Sequence, residues 1–375
     1  MANISTLGQA LDQIARIKTQ QSQLDQLTAQ LATGKKTNRF AGLGNDVLTS
    51  QRARADLSSL DVYLTNIKNA DRRINLMTSS LENIGDQASI IEDSLATAIQ
   101  QGDYPDLETI QQTARNILAM IESNINIQDG ERYLFAGSDS SSKPYENTGL
   151  FESFLGEYVP DETDLTNPPL TASGLIGQWG DGTITTDEFI QSYHNVNETV
   201  MGYSNSLSTD SAGHVFSRVD ENTELDYTYL ADSDPIKDIV TALNVLISLP
   251  PPEYAPGALN DPTATTFGAD TPPFPPEEKQ DNFFAVINDI ANTLNSASNQ
   301  LEQETYGLTL VQSQMQQIQE DYDVDKNTLL NIIGEVEDVD LTEAATQIQQ
   351  LQIQLEASYS VTALVSQLSI VNYLL

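Results

Sequence analysis

The segment LTEAATQIQQLQIQLEASYSVTALVSQLSIVNYLL, residues 341–375, decides how this chain is organised. It contains no Lys, Arg, Gly or Pro, and its only acidic residues are Glu343 and Glu356. Its apolar residues recur at steps of three and four in two runs, with one phase shift between Leu355 and Val361, which is the period of a helix with an apolar face. Such a face must be buried against another surface. The residues on this face are Ala344, Ile348, Leu351, Leu355, Val361, Leu364, Leu368, Val371 and Leu375.

The beginning of the chain carries a matching pattern. Apolar residues are again spaced by threes, fours and sevens, and Gln, Thr, Ser and Asp lie between them. Two apolar helical seams at opposite ends of a sequence predict that the terminal helices meet in a coiled coil. The alternative is that each helix joins an ordinary bundle. The amino-terminal seam consists of Ile4, Leu7, Leu11, Ile14, Ile17, Leu24, Leu27 and Leu31. Apart from Ile17, these residues and the carboxyl-terminal positions from Ile348 onward form the predicted assembly interface.

Length and composition limit the possible classes of protein. A chain of 375 residues is expected to form two or three domains. It has no cysteine, which excludes disulfides, thiolate metal sites and a cysteine nucleophile. The opening residues 1–18 lack the apolar core of a secretory signal peptide. The chain has no apolar run long enough to span a bilayer, so we expect no membrane insertion.

The chain is strongly acidic, and its charge is unevenly distributed. The formal net charge is −37, of which residues 1–145 contribute −4 and residues 146–375 contribute −33. A surface this acidic repels phosphates, so we expect no binding to nucleic acid. The acid excess indicates a solvated exterior for the middle of the chain.

Long helical patterns flank the middle of the sequence. Apolar steps of three, four and seven continue from Val47 to about Gln101, and a second helix is predicted from about Asp106 to Asp129. The same period returns from Asp281 to about Val339. Gly34 is a natural end for the first helix, and Asp340 is a plausible N-cap for the last.

The composition changes between residues 140 and 279. This region is rich in Thr, Asp, Gly and aromatic residues, and a Pro-rich linker follows at residues 250–278. A further helix is predicted at residues 231–249. We therefore predict a surface-exposed, mixed α/β insertion domain. Its candidate strands are Phe151–Leu155, Thr183–Thr186, His214–Val219 and Leu225–Leu230. A strand-like segment, Tyr133–Phe135, comes just before the insertion.

The predicted fold class is mostly α, with a nested layout. The amino- and carboxyl-terminal halves form a long antiparallel helical rod or coiled coil, and the mixed α/β insertion lies in the middle. The terminal assembly domain comprises residues 1–40 and 341–375. The rod comprises residues 41–139 and 280–340, and the insertion comprises residues 140–279.

No catalytic or metal constellation is recognisable in the sequence. The two histidines, His194 and His214, lack the H-E-x-x-H spacing of a metallopeptidase and any recognisable triad spacing. Residues 177–189 resemble a calcium loop only in part, since its first and third positions are not carboxylates. Acid pairs such as Glu337-Asp338 are interpreted as solvated. We predict no catalytic residue, no cofactor and no metal.

Specific residues resemble the bacterial flagellin family. Residues 4–36 are similar to the family's opening segment and end in Thr33-Gly34-Lys35-Lys36. Residues 338–374 are similar to its closing segment. The element Gly130–Gly137, followed by Pro144-Tyr145, is similar to one found in the hook–filament junction proteins, a branch of the hook-associated proteins. The resemblance does not extend to the insertion, and the loop at residues 37–46 departs from the family pattern.

The resemblance implies a structural subunit of the bacterial flagellum and not an enzyme. It implies an extracellular protein, exported unfolded through the flagellar type III apparatus, whose terminal helices pack into a tube wall and are disordered in the free monomer. Its implied partners are copies of itself, other flagellar axial proteins (hook-associated proteins and flagellin) and an export chaperone. The leading hypothesis is a hook–filament junction subunit. The alternatives are a flagellin that forms the filament, and an enzyme or scaffold displayed on a coiled-coil stalk.

Overall fold

The computed structural model describes residues 2–101, 105–156, 174–180, 182–251 and 277–374. Within these ranges, residues 2–7, 9, 10, 277–280 and 365–374 are described by their backbone alone. Most of the predicted Pro-rich linker therefore lies outside the described residues. The described chain divides into two compact units: unit 1 is residues 1–62 and 320–375, and unit 2 is residues 63–319.

Four long helices dominate the chain. The first is α1 (Ala2–Thr33), and a 3₁₀ segment at Phe40–Asp46 leads into α2 (Val47–Gln101). Late in the chain come α10 (Glu277–Glu337) and α11 (Leu341–Leu374). The predicted long helices are confirmed, although α10 begins earlier than the pattern indicated.

The middle of the chain contains short elements. They are α3 (Leu107–Ile125), the hairpin β1 (Gln128–Asp129) and β2 (Arg132–Tyr133), α4 (Leu150–Leu155), α5 (Leu175–Gly180), α6 (Thr186–His194), α7 (Glu198–Met201), α8 (Asn205–Ser208), the hairpin β3 (Phe216–Arg218) and β4 (Glu224–Asp226), and α9 (Asp234–Ser248). Both hairpins are antiparallel. The predicted fold class, mostly helical with a small sheet region, is confirmed.

Two of the predicted strands, Phe151–Leu155 and Thr183–Thr186, are wrong because a short helix forms over the first and another begins at the end of the second. Phe151 and Leu155 are four residues apart, so α4 places both on one buried face. Thr185 caps α6 instead of extending a strand, since its hydroxyl accepts from the amide of Glu188 and the Glu188 carboxylate accepts from the amide of Thr185. The strand predicted at Leu225–Leu230 is shorter than expected, since β4 ends at Asp226. The strand-like segment Tyr133–Phe135 is also mostly outside a strand, since β2 ends at Tyr133.

One part of the core of unit 2 lies where α2 packs against α10. Most apolar positions of α2 in unit 2 are almost fully buried; they include Ile67, Ile74, Met77, Leu81, Ile84, Ile91 and Leu95. The Cδ2 atom of Leu301 lies 3.6 Å from the position that a Cβ at Gly85 would take. Gln312 donates from Nε2 to Oδ1 of Asp71 at 2.8 Å. Within unit 2, these contacts show that α2 and α10 are antiparallel.

The element at residues 130–137 is a packing element of unit 2. After Tyr133 the chain turns inward, and Phe135 and Ala136 are fully buried. Phe135 meets the ring of Tyr229 edge to face, with ring centroids 6.0 Å apart. Gly137 has a φ of 61°, and a Cβ there would lie 2.6 Å from the carbonyl oxygen of Gly213. Only glycine is free of strain at this position.

Candidate assembly interface

The terminal helices α1 and α11 pair in antiparallel fashion in unit 1, which confirms the prediction that the two ends of the chain meet. Gln20 donates to Gln354 at 3.3 Å, and Gln21 donates to the hydroxyl of Tyr359 at 2.6 Å. Ser358 donates to Oε1 of Gln20 at 3.4 Å. Amide and hydroxyl groups therefore fix the register over the middle of the pair.

The pair covers only part of the predicted seam. Leu355 is 5% exposed and Ala344 is 2% exposed. Leu24, Leu27, Ile348 and Leu351 are half-buried. Other seam residues face solvent; they are Leu11, Ile14, Leu31, Val361 and Leu364, each between 40% and 58% exposed. The side chains of Ile4, Leu7, Leu368 and Val371, and the whole of Leu375, lie outside the described residues. Two helices are too few to bury both apolar faces, since each helix presents a face wider than one partner covers.

A short ladder of backbone hydrogen bonds joins the segment that follows α1 to the segment between α10 and α11. Gly34 has a φ of 69° and ends α1, as predicted, and its amide donates to the carbonyl oxygen of Gln30 at 2.8 Å. Lys35 pairs with Asp338 in an antiparallel bridge. The amide of Lys36 donates to Glu337 at 2.7 Å, and the amide of Val339 donates to Gly34 at 3.0 Å. Asp340 then caps α11 by accepting from the amides of Thr342 and Glu343, as predicted.

Glu337 lies at the centre of this joint. Its carboxylate accepts two hydrogen bonds from Arg54, Nε to Oε1 at 2.7 Å and Nη2 to Oε2 at 2.6 Å. The hydroxyl of Ser50 donates to Oε1 at 2.6 Å, and Lys35 Nζ lies 3.5 Å from Oε2. The interpretation of Glu337 as a solvated acid is wrong, because Glu337 is only 7% exposed. Spacing could not reveal this, since its partners come from the other end of the chain.

These contacts set the charge states of the joint. The hydrogen bonds from Arg54 and Ser50 and the charge of Lys35 lower the pKa of Glu337 to about 2, although burial opposes them. The hydrogen bond and charge of Asp338 raise the pKa of Lys35. Glu337 is therefore a carboxylate under all ordinary conditions, and its charge is matched by two bases.

The histidines of unit 2 lie in ordinary packing contacts. His194 lies 2.9 Å from Oδ2 of Asp289, and the hydroxyl of Tyr193 donates to the same oxygen. His214 lies 2.7 Å from Oδ2 of Asp226 across the β3–β4 hairpin. Among the described residues, no group of three or more His, Asp or Glu side chains is placed to hold a metal ion.

Within the described ranges, no helix combines the length and apolar character needed to cross a bilayer. Each long helix instead has an apolar face and a polar face.

Comparison with known protein families finds a match in the carboxyl-terminal part of the chain. Residues 291–374 match the family of the bacterial flagellin C-terminal helical region. This match covers residues 291–337 of α10 and all of α11, and it confirms the flagellin-family resemblance of the carboxyl-terminal residues. A comparison with curated protein sequences finds no match.

A search of solved structures finds further similarity. One match is a Vibrio parahaemolyticus protein provisionally assigned as a flagellar hook-associated protein. It is 11% identical, covers 76% of this chain and 97% of its own, and superposes with a TM-score of 0.39.

Proposed function

We propose that this chain, whose residues 291–374 match the family of the bacterial flagellin C-terminal helical region, is a structural subunit of the bacterial flagellum that joins hook and filament. One observation carries the proposal: the paired terminal helices leave an apolar face exposed. We assign that face to packing between subunits in a helical tube.

The exposure of this face favours assembly. Ile14 on α1 is 56% exposed, and Leu364 on α11 is 58% exposed. Full burial of one such side chain contributes about 1.5–3 kcal/mol. Several of them on one helix pair give a large driving force for association, whereas a soluble monomer rarely exposes so many together.

The domain roles follow from the same argument. Residues 1–40 and 341–375 form the assembly domain, residues 41–139 and 280–340 form the rod, and residues 140–279 form an exposed insertion. The acid excess after residue 145 favours contact of the insertion with water. The rod would carry that insertion outside the tube wall.

The partners and location are part of the proposal. The subunit would contact copies of itself and other flagellar axial proteins, and an export chaperone would protect its apolar ends before export. The route would be the flagellar type III apparatus, and the final location would be extracellular. We assign it a structural role without catalysis.

Immunogold labelling of intact cells tests the junction role. Antibody against residues 140–279 should give one ring of label where hook meets filament. Label along the whole filament would instead identify a filament-forming flagellin. Absence of label from flagella would contradict the proposal and favour a displayed enzyme or scaffold.

Deletion of residues 341–375 tests the assembly domain. The truncated chain should be a soluble monomer that fails to enter flagella, since α1 then has no partner and α11 is missing. A matched chain with Leu11, Ile14, Val361 and Leu364 changed to Gln keeps both helices and removes only the exposed apolar groups. Normal incorporation of both variants would show that the terminal helices do not drive assembly.

A further inference from the structure

Unit 2 contains a groove between α10 and the segment that leads from β4 into α9. Its volume is about 830 Å³. Leu230, Leu308 and Val311 contribute apolar surface to its wall, and the ring of Tyr227 lies beside them. A groove of this size accepts protruding side chains of another protein. We call it the acidic groove, because of the residues at its edge.

The edge of the acidic groove carries a large excess of carboxylates. Lining residues of negative charge include Glu198, Asp210, Asp226, Asp232, Asp234 and Glu304. The two basic lining residues are already engaged within the chain. Lys237 lies 3.1 Å from both Glu198 and Asp234, and His214 lies 2.7 Å from Asp226.

Asp232 stands out among these acids. It is half-buried, and among the described residues no basic side chain lies within ion-pair distance of it. Burial raises the pKa of Asp232, and the charges of Glu198 and Asp210 also raise it, whereas a hydrogen bond from its own backbone and the charge of Lys237 lower it; the net shift is upward. A carboxylate in this state is stabilised by an added cation.

A stretch of sequence with exposed basic and apolar residues lies around the start of α2 in unit 1. We call it the cationic knob, formed by Arg39, Phe40, Leu48 and Arg52. Phe40 is 47% exposed and Leu48 is 54% exposed, and Leu48 and Arg52 are four residues apart on one helix face. In the described part of the chain, neither guanidinium has an ion-pair partner.

Assembly of identical acidic chains requires contacts between opposite charges. Each copy has a net charge of −37, with 13 of its 17 bases in residues 1–145. Copies packed closer than about 8 Å, the screening length at physiological salt, repel each other unless bases of one face acids of the next. The unpaired bases of the amino-terminal region are the groups that can meet this need.

We propose that the cationic knob of one copy docks in the acidic groove of the next copy. In this contact the guanidinium groups face the carboxylates near Asp232, and Phe40 and Leu48 cover the apolar wall at Leu308. The two surfaces differ, so the contact is head-to-tail and repeats along a ring or a helix. The proposal rests on the proposed flagellar assembly and adds the surfaces through which neighbouring copies meet.

Cysteine cross-linking tests this contact, because the natural chain has no cysteine. Asn38→Cys lies beside the knob and Tyr306→Cys lies beside the groove, and both positions are exposed. Flagella isolated from cells that carry the double variant should give a ladder of cross-linked subunits with a short bismaleimide. Each single variant should give no ladder. A double variant that enters flagella but shows the single-variant pattern would overturn the contact.

A charge exchange gives a second test with an independent readout. Arg52→Glu and Asp232→Lys should each lower the amount of subunit in isolated flagella by on the order of tenfold, since each places like charges together. The double variant should recover most of that loss, because it restores opposite charges. Lys68→Glu, an exposed base that is part of neither surface, is the matched control. Secreted subunit is measured in parallel to correct for export.

The outcomes separate the contact from the proposed function. Normal incorporation of both single charge variants, without a cross-linked ladder, would remove the contact and leave the flagellar role intact. Absence of the unaltered chain from flagella would overturn both.

Discussion

Arg54 and Glu337, 283 residues apart in sequence, form a two-pronged ion pair at the base of the terminal helix pair. The guanidinium lies side-on to the carboxylate, with both nitrogen–oxygen distances under 3 Å. Glu337 is almost fully buried and also accepts from Ser50. This joint ties the start of α2 to the end of α10 within unit 1.

Glu337→Gln should loosen this joint. The amide cannot accept both bonds from Arg54. A buried charged group that loses its partner lowers the free energy of unfolding by about 2–4 kcal/mol. Amide exchange at residues 47–62 and 320–337 should become on the order of 30-fold faster or more, measured by mass spectrometry. Asp338→Asn is the control, because that carboxylate is 53% exposed and its loss should cost under about 1 kcal/mol. Equal effects of the two variants would contradict the assignment.

Acid should weaken the same joint. The folded pKa of Glu337 is lowered to about 2, below its unfolded value of about 4.5. A lowered pKa contributes stability that is fully present above about pH 4.5 and is lost as the pH falls towards 2. Corrected for intrinsic rates, amide protection at residues 320–337 should fall in this window. The Glu337→Gln chain should lack this part of the dependence, and an unchanged profile would contradict the prediction.

Two leucines of α11 should have separable roles. Leu355 is 5% exposed in the pair, whereas Leu364 is 58% exposed. Leu355→Ala removes a contact inside the chain and should cost about 2–4 kcal/mol of helix pairing. Leu364→Ala should leave the pairing within about 0.5 kcal/mol but should reduce incorporation into flagella. Helix pairing is measured by cross-linking Gln20→Cys to Gln354→Cys, and equal pairing losses would contradict this division.

A buried hydrogen-bond chain should stabilise unit 2. The indole of Trp179 donates to Thr186 at 3.0 Å, and the hydroxyl of Thr186 donates to Asn282 at 2.8 Å. Thr186→Val leaves both neighbours with one partner fewer and should lower the free energy of unfolding by about 1–3 kcal/mol. Trp179 is the only tryptophan, so its fluorescence reports urea unfolding directly. Thr199→Val, at an exposed position of unit 2, serves as the comparison, and equal losses would argue against the network.

Unit 2 should lose stability as the pH rises above neutrality. The hydrogen bond and charge of Asp289 raise the pKa of His194 above its usual value, against the effect of burial. A raised pKa contributes stability that is fully present below about pH 6.5 and is lost as the pH rises through the folded value. The urea midpoint from Trp179 fluorescence should therefore fall between about pH 6 and pH 9. His194→Gln should remove this slope, and a slope that persists would assign it to another group.

The sequence predicted the long helices because their evidence is local. Ile67, Ile74, Met77 and Leu81 keep a helical period without interruption, and all four are buried. Gly34 and Asp340 marked helix ends correctly, since caps depend on residues within a few positions. Phe151 and Leu155 misled the strand prediction because a short apolar run fits either a strand or one turn of helix.

The sequence by itself determined that the two ends of this chain form apolar-faced helices, because periodicity is a property of neighbouring residues. Tertiary structure alone decided which apolar residues the pair covers and which stay open. It also decided that Glu337 is a buried ion-pair partner and not a solvated acid. Burial and pairing depend on residues hundreds of positions away, such as Arg54. The spacing of neighbouring residues does not show which distant residues are in contact.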